Sequence, residues 1–219
     1  MKRHKEFGDV FLSWRLKRGD ARVIVGVLKE TSTGVLFQYT EEGKDKAKKH
    51  LFTPYAGFPN VDTIYTQNVL DIFGQRLMRA ERPDIQKYYD LWGIPTEKAD
   101  DKLYLLAKTQ GIQAGDMFEF LADYNPIKGL SFMSEICDLS HRELPSDALK
   151  TGDRLTWKKV VNNADKYAIM LYKEGKEIGY VKRIHNRVFH KAKRDINISV
   201  TSIETNGHLN RAGIQITIQ

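Results

Sequence analysis

A single cysteine, Cys137, stands among 219 residues, so neither an internal disulfide nor a multi-thiolate zinc site is available. That cysteine reads as a small buried hydrophobe in a reducing compartment. No apolar run reaches the roughly 20 residues of a membrane span. The basic start, Met1 to Glu6, is followed by no apolar signal-peptide core. A soluble, cytoplasmic protein with no membrane partner is therefore expected. Signatures of catalysis are missing too. There is no Gly-x-x-x-x-Gly-Lys-Ser/Thr phosphate cradle, no dinucleotide fingerprint, no His-Glu-x-x-His helix and no Gly-x-Ser-x-Gly elbow. No cofactor or metal is implied, and an enzyme is not expected. The six His are scattered, and His185 and His190 stand five apart, which suits a helical metal pair poorly. Pro83-Asp84 with the distant Glu174-Gly175-Lys176 matches a permissive metal-nuclease pattern, so a nuclease stays as a third reading.

What is present is enough for a packed core: 41% hydrophobic residues and 11% aromatics exclude wholesale disorder. Lys and Arg number 35 against 28 Asp and Glu, a net +7. Residues 146–219 hold 14 basic and 7 acidic side chains, so they carry the whole excess, and residues 1–145 are balanced. Such asymmetry points to a polyanionic partner at that end, nucleic acid before acidic lipid.

Two regions differ in period. In the first, Asp9 to Leu16, Ala21 to Leu28 and Gly34 to Thr40 read as an antiparallel meander, with Thr31-Ser32-Thr33-Gly34 as hairpin turn. Val23 to Leu28 is apolar on both parities, as suits a strand covered on both faces. Helices are expected over Glu41 to His50, over Asp62 to Glu81 with Asp62 as N-cap, over Asp84 to Trp92 ended by Gly93, and over Asp100 to Gln110. Pro54 to Pro59 reads as turns with two buried aromatics. From about Leu130 strands return: Phe132 to Leu139, Arg154 to Val161, Tyr167 to Tyr172, Glu177 to Val181, Ile196 to Glu204 and Ala212 to Ile218. One short basic helix, Arg183 to Lys193, is expected between the fourth and fifth. Six short strands with one helix suggest a small closed or nearly closed barrel. The turn-rich Asn125 to Gly129 marks the boundary, which gives an α+β chain with domains 1–127 and 128–219.

The positive functional signal is Lys182 to Arg194. It carries Lys182, Arg183, Arg187, Lys191, Lys193 and Arg194 and no carboxylate. As a helix it would align Arg183, Arg187, Lys191 and Arg194 on one face, a stripe able to follow a phosphate backbone. Aromatics lie close to cations: Trp157 beside Lys158 and Lys159, and Tyr180 beside Lys182 and Arg183. Stacking platforms next to phosphate-binding cations are what single strands require. The bland alternatives are a solvated helix on a barrel rim and core packing of Trp157.

The run Gly152-Asp153-Arg154-Leu155-Thr156-Trp157, then Asn162-Asn163-Ala164-Asp165-Lys166-Tyr167-Ala168-Ile169, then Ile178-Gly179-Tyr180-Val181-Lys182-Arg183 resembles a HIRAN domain over about residues 130–219. The resemblance implies a modified OB-type barrel and capture of the 3′ hydroxyl end of single-stranded DNA. It implies that Asp165, with Asn162 beside it, accepts the terminal hydroxyl. A carboxylate accepts a hydroxyl proton but repels a continuing phosphodiester. Asn163 stands in place of the family's Pro and Ala164 in place of a stacking Tyr, and the family's early Arg-Tyr pair is not evident. Without the resemblance, 162–165 reads as a polar turn closed by Asp165. More faintly, Gly26-Val27-Leu28, Gly34 to Tyr39, Asn68-Val69-Leu70, Arg76-Leu77 and Tyr104 to Ala107 before Gly111 resemble the N-terminal subdomain of HipA-type toxin kinases, over about residues 10–122. The kinase body and its Asn-Leu-Leu-Pro element are absent, so the resemblance implies a protein-contact module. The expected function is non-catalytic binding of nucleic acid, DNA favoured over RNA, with residues 1–127 docking a protein partner. The main rival is an antitoxin-like or phage-defence-related interaction factor whose basic surface meets an acidic protein.

Overall fold

The computed structural model describes residues 5–17, 19–161 and 165–219. Asn162, expected in the site, lies outside the described residues, as do Asn163 and Ala164. The chain forms two compact units, one up to Asp123 and one from Tyr124 to Gln219. The Tyr124 ring stacks on Phe132 at 3.9 Å, which ties that residue to the second unit.

In the first unit, strands β1 (Phe7–Trp14), β2 (Val23–Thr31), β3 (Gly34–Tyr39) and β4 (Phe118–Tyr124) form one sheet in the order β3-β2-β1-β4. Ile24, Val25, Val27 and Leu28 are all buried, as the two-sided apolar pattern requires. Helix α1 (Glu41–Lys48) lies directly on β2: a Cβ on Gly43 would strike the Val25 carbonyl. Thr40 caps α1 by accepting from the Gly43 N–H at 3.1 Å. Phe37 centres an aromatic core with Tyr39 at 4.9 Å, Phe58 at 4.9 Å and Phe73 at 5.1 Å. The Tyr39 hydroxyl donates to the Phe58 carbonyl and accepts from the Tyr55 N–H, which pins the Pro54–Pro59 turns. Arg76, buried, donates to both carboxylate oxygens of Asp116 at 2.6 and 2.7 Å and to the carbonyls of Gly111 and Phe118.

One expected helix is mostly absent. In place of 62–81, only α2 (Val69–Gly74) is helical. Upstream, Tyr65 exchanges two 2.8 Å hydrogen bonds with Phe37, extending the sheet by a bridge. Asn68 then turns the chain at φ 55. Ile64, counted toward the helical stripe, is exposed. Helix α3 (Ile85–Trp92) ends at Gly93 with φ 61, and α4 (Lys102–Thr109) is capped by Asp101.

The second unit is a closed antiparallel barrel. Its strands are β5 (Ser131–Cys137), β6 (Arg154–Lys159), β7 (Ile169–Lys173), β8 (Lys176–Val181), β9 (Ile196–Asn206) and β10 (His208–Ile218), in the order β10-β5-β8-β7-β6-β9. Ile214, Ile216 and Ile218 point into the core and are fully buried, as the period-two pattern predicts. A short helix, α5 (Leu139–Arg142), follows β5. The basic helix expected over Arg183–Lys193 shrinks to α6 (Arg187–Lys191). Ile184, buried at φ 77, holds residues 183–186 in a turn, and Ala192 is already extended.

Candidate nucleic-acid interface

The barrel is joined unevenly. β6 and β9 pair only at Arg154–Ser199 and Leu155–Ile198, and then separate. Beyond that point β6 pairs with β7 alone: Thr156 with Tyr172, Trp157 with Leu171, Lys158 with Met170, Lys159 with Ile169. Where the strands part lies an open cleft of about 460 Å³ lined by Arg154, Leu155, Thr156 and Trp157 from β6 and Ile196, Asn197, Ile198 and Ser199 from β9. Alternation decides what it shows to solvent. Leu155, Ile196 and Ile198 are buried in the barrel, while Arg154, Thr156 and Asn197 are exposed.

Trp157 is half-buried and meets Phe189 of α6 edge to face at 5.0 Å, so α6 closes the barrel beneath the cleft. Val188 and Phe189 supply the apolar side of that plug. Trp157 therefore packs against Phe189 and also lines the cleft.

The expected stripe of cations does not form. Arg183 sits in the turn before α6 and Arg194 in the bend after it, so only Arg187 and Lys191 share a helical face. Lys182 is no surface cation either: it is buried, with its Nζ 3.6 Å from Glu135. Arg187 lies over the ring of Tyr167 at 5.6 Å, and Lys191 reaches the Tyr124 carbonyl at 3.4 Å. Tyr180 is half-buried, with the Arg142 guanidinium 5.5 Å over its ring. That guanidinium is in turn held by Asp138 and Glu177, each at 3.2 Å.

Asp165 closes a turn. One carboxylate oxygen accepts from the Tyr167 N–H at 2.9 Å and the other from the buried amide of Asn186 at 2.6 Å. The turn leads to a residue that the sequence alone did not single out. Tyr167 is half-buried, with Lys166 at 5.0 Å and Arg187 at 5.6 Å over its ring and His190 edge-on at 5.3 Å. The adjacency Lys166-Tyr167 was a usable signal. Thr156, Asn197 and Ser199 gave none, because the cleft they line exists only where two distant strands part.

Electrostatically, several acids of this unit are spent on internal ion pairs. Glu135 meets Lys182 and Arg211, Glu204 meets Arg211, and Asp153 holds Lys173. Its ion pair and the Lys150 N–H keep the Asp153 carboxyl below the usual carboxylate range. By contrast Arg154, Lys158, Lys159, Lys166, Lys193 and Arg194 are exposed, and none has a carboxylate partner among the described residues. Lys158 lies 5.2 Å over the ring of Tyr172, a cation on an aromatic beside the cleft. Among the described residues no three His, Cys, Asp or Glu side chains gather as a metal site. The two halves of the nuclease-like pattern fall in different units: Asp84 is gripped by Arg82 in the first, and in the second Glu174 and Gly175 form the β7–β8 turn and Lys176 opens β8.

No family model matches the chain, and no curated protein matches it. The resemblance of residues 10–122 to HipA-type subdomains finds no support in these comparisons. Among solved structures, the chain is similar to the crystal structure of the HIRAN domain of human HLTF, with 14% identity, a TM-score of 0.32, and coverage of 39% of this chain and 74% of that one.

Proposed function

We propose that the barrel unit binds single-stranded nucleic acid, DNA before RNA, as a non-catalytic binding surface. The observation that carries this reading is the group of exposed cations without carboxylate partners, Arg154, Lys158, Lys159, Lys166, Lys193 and Arg194 among them, on a unit where Glu135, Asp138, Asp153, Glu177 and Glu204 are paired internally. Unopposed like charges repel one another, and a polyanion relieves that repulsion while releasing counterions. Half-buried aromatics, Trp157, Tyr167 and Tyr172, stand among these cations, which is the combination that holds unpaired bases.

The test is fluorescence anisotropy of the full chain with single-stranded DNA, the matching duplex, a 3′-phosphate-blocked strand and heparin. Tighter binding to the single strand than to duplex and heparin is expected. Equal binding to all polyanions would reduce the surface to general charge attraction and favour an acidic protein as partner. The 3′-blocked strand tests the finer expectation for Asp165, whose remaining lone pairs are what a terminal hydroxyl would use.

A further inference from the structure

The cleft between β6 and β9 has a chemistry that plain phosphate binding does not need. Phosphate contacts ask for cations on a surface. Here Arg154 and Ser199 are paired at the joined end of the cleft, Thr156 and Asn197 are the outward side chains on either side just where the strands part, and Trp157 is part of the lining. A guanidinium offers five donors in a fixed fork, and an amide offers donor and acceptor together. These are the groups that pair with the edges of nucleobases: Arg with guanine, Asn with adenine, Ser or Thr with either. The cleft is also open, at about 460 Å³; the exposed Lys158 and Lys159 follow its β6 residues in the chain, and the exposed Lys193 and Arg194 lead into β9.

We infer that this cleft takes an unstacked base of the bound strand, its sugar-phosphate chain passing over the cations beside it. The inference rests on the proposed nucleic-acid binding and adds the class of ligand group: an accessible base edge, found in a single strand and hidden in a duplex. It is distinct from the Asp165 turn, whose carboxylate oxygens already receive protein donors.

The test compares a base-bearing single strand with an abasic chain of equal length and charge, on the full-length protein. A second arm uses Thr156→Ile with Asn197→Leu, which fills the cleft with aliphatic volume and removes two polar groups while leaving every cation in place. Both positions are exposed on strands, and circular dichroism checks that the variant folds. Wild type is expected to prefer the base-bearing strand by about tenfold or more, the effect of losing one bound base. The filled variant is expected to lose about tenfold of that preference, keeping only what stacking on the surface aromatics contributes. Equal wild-type affinity for the two chains overturns the inference and needs no variant. A filled variant that keeps the full preference overturns it also, and places the base elsewhere. Wild type that binds neither chain overturns the nucleic-acid reading itself, an outcome distinct from both.

Discussion

Asp165 shows how one carboxylate can be engaged before any ligand arrives. Its two oxygens take the Tyr167 N–H and the Asn186 amide, and Asn186 is almost fully buried. Asp165→Ala leaves that amide without its acceptor, at a cost of about 1–3 kcal/mol. Urea unfolding should show a lower midpoint at unchanged slope, and an unmoved midpoint would mean the turn does not depend on this carboxylate. Arg76 and Asp116 make the comparable case in the first unit. Burial raises the Asp116 carboxyl, but hydrogen bonds from Arg76 and the Phe118 N–H outweigh it and hold it below the usual range. A carboxyl depressed in the folded state contributes stability that is present above its unfolded value and is lost as pH falls through the folded value. Acid titration of unfolding should therefore show a loss below the ordinary carboxylate range, and Asp116→Asn should flatten it while lowering stability at neutral pH. A variant with the same acid profile as wild type would assign that loss to other carboxylates. Lys182 belongs among these residues as well: buried against Glu135, it contributes to the barrel and not to its surface charge.

At the level of elements, β6 and α6 divide the cationic surface unequally. On β6, Arg154 and Lys158 lie outward with no carboxylate partner among the described residues. On α6, Arg187 and Lys191 are committed to the Tyr167 ring and the Tyr124 carbonyl. Reversing Arg154 and Lys158 to Glu should therefore weaken single-strand binding more than reversing Arg187 and Lys191. The β6 reversal should make the salt slope shallower by roughly 0.7 for each phosphate that is no longer neutralised. The opposite ranking, measured by anisotropy at several salt concentrations, would return the interface to α6. The same two elements show what sequence can convey. β6 and β10 were legible because strict alternation, as in Ile214, Ile216 and Ile218, has one solution in a barrel with one wet face. The stripe on Arg183, Arg187, Lys191 and Arg194 was misread because basic residues at helical spacing carry no information about a buried Ile184 at positive φ. The long helix over 62–81 failed for a tertiary reason: Tyr65 gains two backbone bonds by joining Phe37 instead. β4 was missed altogether, since Phe118 to Tyr124 holds Glu119 at a buried position, where its ion pair with Arg22 comes from far along the chain. The cleft was invisible for the same reason, being made by 154–157 and 196–199 together.

The whole molecule concentrates its net charge at one end of the sequence. All of the +7 lies in residues 146–219, and the barrel that contains them holds Glu135, Asp153 and Glu204 in internal ion pairs. The field that a ligand meets is therefore set by the exposed charges, because paired charges cancel locally. Arg154, Lys158, Lys159, Lys166, Lys193 and Arg194 are among the exposed cations, and a bound strand is expected to have about four to six phosphates neutralised. On single strands the log–log slope of affinity against salt should then be about −3 to −4, since each neutralised phosphate contributes roughly −0.7. Base contacts add affinity without adding slope, because they release no counterions. Filling the cleft should therefore displace the salt line downward and leave it parallel, whereas reversing Arg154 and Lys158 should tilt it. Full-length protein measured over a tenfold salt range separates the two effects in one experiment. A slope near zero would remove phosphate binding as the origin of affinity, and a slope that changes when the cleft is filled would mean that cleft and cations act as one site.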